Sequence, residues 1–160
     1  MNFSDTLIHL AGTFNGPDRV LIEKNTIATV NLARALHFQP AVKVIFTSSG
    51  AVYGDSGSAP IDEDTQLVPN TVYGFSKKWA EEGLQFYSPK AYQNLVILRL
   101  PSLYGPENTK GVIHEFSRSI QSISSLTVCG SGEQRRSFLH VDDLCEGIIR
   151  IMLIPISGVY

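Results

Sequence analysis

A chain of 160 residues, 43% hydrophobic and 18% charged, has the apolar content to bury a core and too much of it for a disordered segment. A formal net charge of −2 leaves no electrostatic footprint for nucleic acid. Cys129 and Cys145 lack metal or disulfide spacing and suit core positions, and no signal peptide or membrane span is legible, so a cytoplasmic protein is expected.

In chain order, Thr6–Ala11 is a short apolar run closed by Gly12, which predicts a buried strand. A helix is expected from about Asp18 to His37, with Ile27, Ala28, Val30 and Ala35 on its buried side. Pro40 stops it before a second strand over residues 42–47. The next helix spans about Val72 to Tyr87, with Phe75, Trp79, Leu84 and Phe86 among its apolar residues. Leu95–Leu100 reads as a third strand, and residues 101–106 as a loop. Gly111–Ser122 suits a helix and Leu126–Cys129 a short strand. The last helix begins near Val141, where Leu144, Cys145, Ile148, Ile149 and Met152 recur at helical spacing. Asp142 and Asp143 suit its positive N-terminal end. Strands alternating with helices predict an α/β fold with a parallel sheet.

The chemistry concentrates between Val44 and Lys77. The apolar run Val44-Ile45-Phe46 breaks into Thr47-Ser48-Ser49-Gly50, as a strand does when it ends at a ligand crevice. Tyr73 and Lys77 are four apart and share one helix face. A cation beside a phenol favours its ionised form, and Ser49 adds a hydroxyl at the strand end. The three together make a proton-transfer device. The bare Tyr-x-x-x-Lys spacing is met equally by a half-buried tyrosine with a lysine snorkelling beside it.

With these segments in this order, 24 residues between Ser49 and Tyr73, the chain resembles the extended short-chain dehydrogenase/reductase family, in its nucleotide-sugar epimerase/dehydratase branch, UDP-glucose 4-epimerase-like. The resemblance implies that Ser49, Tyr73 and Lys77 are catalytic. It also implies that Leu10, Ala11, Gly12, Asn25, Thr47 and Pro101, with Tyr73 and Lys77, contact the cofactor. Asn25-Thr26-Ile27-Ala28-Thr29 resembles the family's Asn-x-x-Gly-Thr, with Ala28 in place of Gly. Arg99-Leu100-Pro101-Ser102-Leu103-Tyr104-Gly105-Pro106 resembles Arg-x-x-Asn-x-Tyr-Gly-Pro, with Ser102 where the family has Asn. Ser102, Ser49 and Arg136 are then the substrate contacts, Arg136 because a guanidinium fork matches diphosphate oxygens. His140, Asp142 and Asp143 are read as ties between loop and helix.

The implied fold is a partial Rossmann-like, doubly wound parallel sheet lacking its first βαβαβ half. Residues 1–105 form the C-terminal half of the NAD-binding domain, and residues 106–160 the start of a substrate-binding region with a returning helix. No G-x-G-x-x-G occurs, although such a fold needs a glycine-rich turn at a helix N-terminus for the pyrophosphate. The chain is therefore expected to be an internal fragment, inactive and a poor binder of NAD by itself. Its first strand is expected to be an open edge that drives self-association.

The implied activity is NAD-dependent epimerisation of a nucleotide sugar through a 4-keto intermediate, in a homodimeric parent, with NADP left open. Gly50 and Ala51 stand where dehydratases of the family carry acidic side chains, which disfavours elimination. A reductase of the same family and a non-catalytic binding module are the alternatives.

Overall fold

The computed structural model describes residues 6–37, 42–55, 57, 60–88, 94–122, 125–128 and 130–160. The chain divides into two compact units, one formed by Met1–Leu100 with Ile148–Tyr160 and the other by Pro101–Gly147.

In the first unit, strands β1 (Thr6–His9), β2 (Lys43–Ser49) and β3 (Leu95–Leu100) are joined by a two-residue strand, Gly158–Val159. The sheet order is β1, β2, β3 and then Gly158–Val159, and every pairing is parallel. Strands β2 and β3 bury long apolar runs without alternation, because a parallel sheet is covered on both faces. On one face Val44, Phe46, Leu95 and Ile97 pack against Ala33, Ala80 and Leu84 of the helices. Lys43, one residue out of phase, sends its ammonium to the carbonyls of Ile151 and Ile154. It thereby satisfies the open C-terminal turn of the last helix. Burial holds the Lys43 pKa below the ordinary lysine value. At the outer edge, Ile8 of β1 remains 37% exposed.

The helix expected over 18–37 is helical throughout Asp18–Leu36 but not uniformly α. It runs as α1 (Asp18–Leu21), a π-helical stretch Ile22–Ile27, and α2 (Ala28–Leu36). Of the expected buried side only Val30, half-buried and facing Gly83 of the next helix, is kept. Leu21, Asn25, Thr29 and Ala33 point inward, whereas Ile27 is 49% exposed and Ala28 and Ala35 face solvent. The wider π turn re-phases the residues that follow it, so a strict 3.6 period assigns the wrong stripe. Helix α3 (Val72–Tyr87) has the expected bounds, begins at Thr71, whose hydroxyl accepts from the Gly74 amide, and buries Ala80 and Leu84. Phe75, Trp79 and Phe86 stay 39%, 45% and 74% exposed.

In the second unit, β4 (Ser102–Tyr104) pairs in parallel with β5 (Phe138–His140). Between them in sequence lies α4 (Val112–Gln121). The strand expected over 126–129 is not formed by its described part. Leu126 and Val128 are exposed and irregular, and β4, expected as loop, takes the ladder with 138–140 instead. Cys129 lies outside the described residues.

Helix α5 (Val141–Leu153) begins in the second unit and ends in the first. Its Cys145, expected in the core, is exposed, since the buried position on that helix falls at Ile148. Gly158–Val159, in the stretch assigned above to the substrate-binding region, pairs with β3 in the main sheet and is labelled β6. Tyr160 and β3 exchange backbone hydrogen bonds at Ile97 and Arg99, because the free edge of β3 offers unpaired donors and acceptors there.

Two glycines let α3 sit close to its neighbours. A Cβ on Gly83 would meet the Val30 side chain at 2.5 Å, and one on Gly74 would lie 2.4 Å from the Ala51 carbonyl oxygen. The second approach brings the first turn of α3 against the end of β2. Gly74→Ala is accordingly expected to destabilise the fold by about 1–3 kcal/mol, read as a lower urea midpoint at unchanged m-value.

Candidate active site

The C-terminal ends of β1 and β2 and the inner face of α3 build the site in the first unit. Strand β2 ends at Ser49, whose Oγ accepts from the Ala51 amide at 3.2 Å and caps a 3₁₀ turn, Gly50–Tyr53. That bond uses one lone pair and leaves the hydroxyl hydrogen for another partner. Tyr73, half-buried, is adjacent to Gly74, the residue that closes on Ala51. One turn further along, Lys77 is buried and donates to the Thr47 carbonyl at 2.7 Å. Its ammonium also lies 4.4 Å from the centroid of the Phe46 ring. Burial pushes the Lys77 pKa down to about 8, against the opposing pull of Glu81, so the group remains mostly charged near neutral pH.

His9 closes the site from β1, stacked on Phe46 at 5.3 Å. Thr29 donates its hydroxyl to the Asn25 carbonyl at 2.6 Å, so its oxygen accepts the 2.8 Å bond from His9 Nε2. This assigns the ring proton to Nε2. Burial, and next the charge of Lys77, lower the His9 pKa and keep the ring neutral beside the ammonium.

Asn25 is the buried residue of the π-helical stretch. Its carboxamide donates to the Thr13 carbonyl at 2.7 Å and to Ser76 Oγ at 2.9 Å, and accepts from the Thr13 amide at 2.8 Å. Ser76 in turn donates to the Tyr73 carbonyl at 2.8 Å. Asn25 thus fastens the loop after β1 to the turn of α3 between Tyr73 and Lys77, and is not a solvent-facing residue. That loop carries Leu10, Ala11 and Gly12, all exposed. A Cβ on Gly12 would stand 2.9 Å from Asn25 Oδ1 and 4.0 Å from Lys77 Nζ, so only bare backbone passes there comfortably.

Thr47 and Ser49 at the end of β2, Gly12 after β1, Asn25 on the π-helical stretch, and Tyr73 and Lys77 on α3 thus all belong to the first unit. Pro101, half-buried, directly follows β3. In the second unit, Ser102 and Arg136 line one cavity of about 280 Å³ together with Lys110 and Tyr104. Arg136 is exposed. His140 Nδ1 accepts from the Asp142 amide at 3.2 Å, a tie between β5 and the start of α5. Among the described residues, no group of three or more His, Cys, Asp or Glu could hold a metal, and no helix is long and apolar enough to cross a membrane.

Glu81, Arg99 and Ser48 carry no role in the motifs quoted above. The Glu81 carboxylate is buried, accepts from the Ser48 hydroxyl and pairs with Arg99 at 2.9 Å. Arg99 also donates to the Tyr53 hydroxyl and the Glu63 carbonyl. Burial works against the Arg99 charge, but its bonds to Glu81 and Tyr53 hold the guanidinium pKa above its ordinary value. The available signal was the spacing: Tyr73, Lys77 and Glu81 follow one another at steps of four.

The NAD dependent epimerase/dehydratase family matches residues 1–158. A UDP-glucuronic acid 4-epimerase from Bacillus cereus, solved with NAD, superposes with a TM-score of 0.85 at 27% identity, covering 97% of this chain and 52% of its own. An Escherichia coli dTDP-4-dehydro-6-deoxyglucose reductase is 32% identical over 90% of this chain and 48% of its length. A Xenopus tropicalis UDP-glucuronic acid decarboxylase 1 is 28% identical over 96% of this chain and 39% of its length. The chain belongs to the NAD-dependent epimerase/dehydratase family of nucleotide-sugar enzymes, with the Rossmann-type parallel α/β fold of the extended short-chain dehydrogenases/reductases. It spans about half the length of these relatives or less.

The bare backbone at Gly12, close to the buried ammonium of Lys77, fits the nicotinamide-ribose half of NAD, an approach that only a residue without a side chain would admit. The buried lysine has a thermodynamic signature. Its folded pKa lies below the unfolded value, so between about pH 8 and the ordinary lysine value of 10.5 the unfolded chain binds more protons. Stability contributed at this position therefore rises with pH across that window. The urea midpoint of the wild type is expected to rise there relative to that of Lys77→Met, and two parallel pH profiles would refute the burial of this charge.

Proposed function

We propose that these residues serve an NAD-dependent nucleotide-sugar epimerase, with Ser49, Tyr73 and Lys77 as its proton-transfer group. The observation that carries the reading is the closure of α3 on the end of β2. Gly74 brings the helix start to Ala51, and Lys77 bonds to the carbonyl of Thr47, two residues before Ser49. Tyr73 as phenolate would take the proton of a sugar hydroxyl held beside it, directly or by way of Ser49, which would pass on its own hydrogen as it accepts one. Lys77, one helical turn along α3 from Tyr73, would supply positive charge to that proton-transfer group. Bound NAD would supply the reversible two-electron oxidation of the same carbon. Its contacts would come from Leu10, Ala11, Gly12, Thr47, Tyr73, Lys77 and Pro101, with Asn25 holding the loop in place. Ser102 and Arg136 would hold the nucleotide sugar, Arg136 at the diphosphate.

Gly50 and Ala51 form the 3₁₀ turn after Ser49 and bring no carboxylate there. Elimination of water needs a further acid and base, so epimerisation is favoured over dehydration.

Incubating the protein that contains these residues with NAD and UDP- or dTDP-hexoses should give C4 epimers by NMR. A 4-keto-6-deoxy product would reassign it to the dehydratases, and net consumption of reduced cofactor with a keto sugar to the reductases. Tyr73→Phe removes one hydroxyl and should lower turnover about 10²–10⁴-fold at unchanged thermal midpoint. Unchanged turnover would remove Tyr73 from the reaction.

A further inference from the structure

Two side-chain rungs tie α3 to the end of β2. The first is Lys77 on the Thr47 carbonyl. The second is Ser48, the next residue on the strand, donating to Glu81, the residue one turn further along the helix. The second rung is held from behind. Arg99 grips Glu81 through both Nε and Nη2, with distances of 3.2 Å and 2.9 Å to Oε2. Its other arm reaches the Tyr53 hydroxyl at 3.0 Å and the Glu63 carbonyl at 3.1 Å. Tyr53 ends the 3₁₀ turn that Ser49 caps, and Glu63 lies in the loop that leads to α3. Glu81 and the Arg99 side chain are 2% and 7% exposed, so the carboxylate has no water to exchange for these partners.

We propose that Glu81 and Arg99 form a positioning pair that, through Ser48, fixes the end of β2 against the helix face carrying Tyr73 and Lys77. This rests on the reading of Ser49, Tyr73 and Lys77 as the proton-transfer group. A carboxylate held in a guanidinium fork has one orientation, and that orientation fixes the height of Ser48 on the helix. Thr47 and Ser49, its two neighbours on the strand, are fixed with it. The Lys77 ammonium thereby keeps its acceptor, and the Ser49 hydroxyl keeps its place by the first turn of α3. The charged and titratable groups around Lys77 are His9 from β1, Tyr73 and Glu81 from its own helix, and Arg99 from β3 with Tyr53 behind it. The π-helical stretch contributes the neutral Asn25. Glu81 is the anion among them, and it opposes the effect of burial on Lys77.

Side-chain ¹⁵N spectra of lysine-labelled protein read this directly, because a buried, hydrogen-bonded ammonium exchanges slowly enough to be seen. Lys43, buried and bonded to the end of α5, is an internal control for the fold. In Glu81→Gln the Lys77 signal should broaden, and its titration midpoint should fall by on the order of one pH unit, while Lys43 stays unchanged. Ser48→Ala removes the second rung without stranding a charge, and should broaden Lys77 with a smaller change of midpoint.

An unchanged Lys77 in both variants overturns the proposal. If Glu81→Gln loses both lysine signals, Ser48→Ala decides. There, loss of Lys43 together with Lys77 marks general destabilisation and overturns the proposal as well. In the protein that contains these residues, Ser48→Ala should lower kcat several-fold with KM nearly unmoved, as misplacement of reacting groups does. A Lys77 signal that responds as expected in a protein that turns over no nucleotide sugar would refute the catalytic reading and leave the positioning of Lys77 standing.

Discussion

A buried ammonium needs acceptors, because an unpaired charge in a protein interior costs several kcal/mol. Lys77 finds its acceptor in a strand carbonyl, the oxygen of Thr47, and much of the first unit is arranged around that bond. Helix α3 must lie close enough for the side chain to reach β2, so it carries glycine where it meets Ala51 and again where it meets Val30. The sheet must offer an aromatic floor, and Phe46 lies under both the ammonium and the His9 ring. The loop after β1 must pass over the site without a side chain in the way, and Gly12 does so while Asn25 holds its neighbour.

Electrostatics and packing agree at this place. The same burial that lowers the Lys77 pKa also lowers that of His9, so the two nitrogens do not carry like charge across one ring. Glu81 offsets part of the cost to Lys77, and Arg99 offsets the cost to Glu81. The result is a chain of groups, each satisfied by the next, from α3 through β3 to the 3₁₀ turn behind Ser49. Such networks are rigid when complete and costly when one member is lost. The second unit differs. Its helix α4 buries no residue among those described, and Arg136 is exposed.

The sequence by itself determined the class of fold, the bounds of α3 and the placing of Tyr73 and Lys77 on one helix. Each rests on a local signal: an unbroken apolar run for a strand buried on both faces, and two residues four apart for one helix face. What only the tertiary structure decided rests on contacts between distant segments. The π turn that places Asn25, Thr29 and Ala33 inward is invisible to a 3.6-residue period, because one inserted residue re-phases every later position. The pairing of β4 with β5, and of Gly158–Val159 with β3, depended on which edges were free, not on the propensity of the strands themselves. Cys145 turned outward because Ile148 took the buried position on α5. Glu81 looked like one more charged residue on an amphipathic helix. It became a buried carboxylate only because Arg99 on β3 and Ser48 on β2, 18 and 33 residues away in sequence, arrive at the same point, and no local pattern encodes where two strands of a sheet will meet a helix.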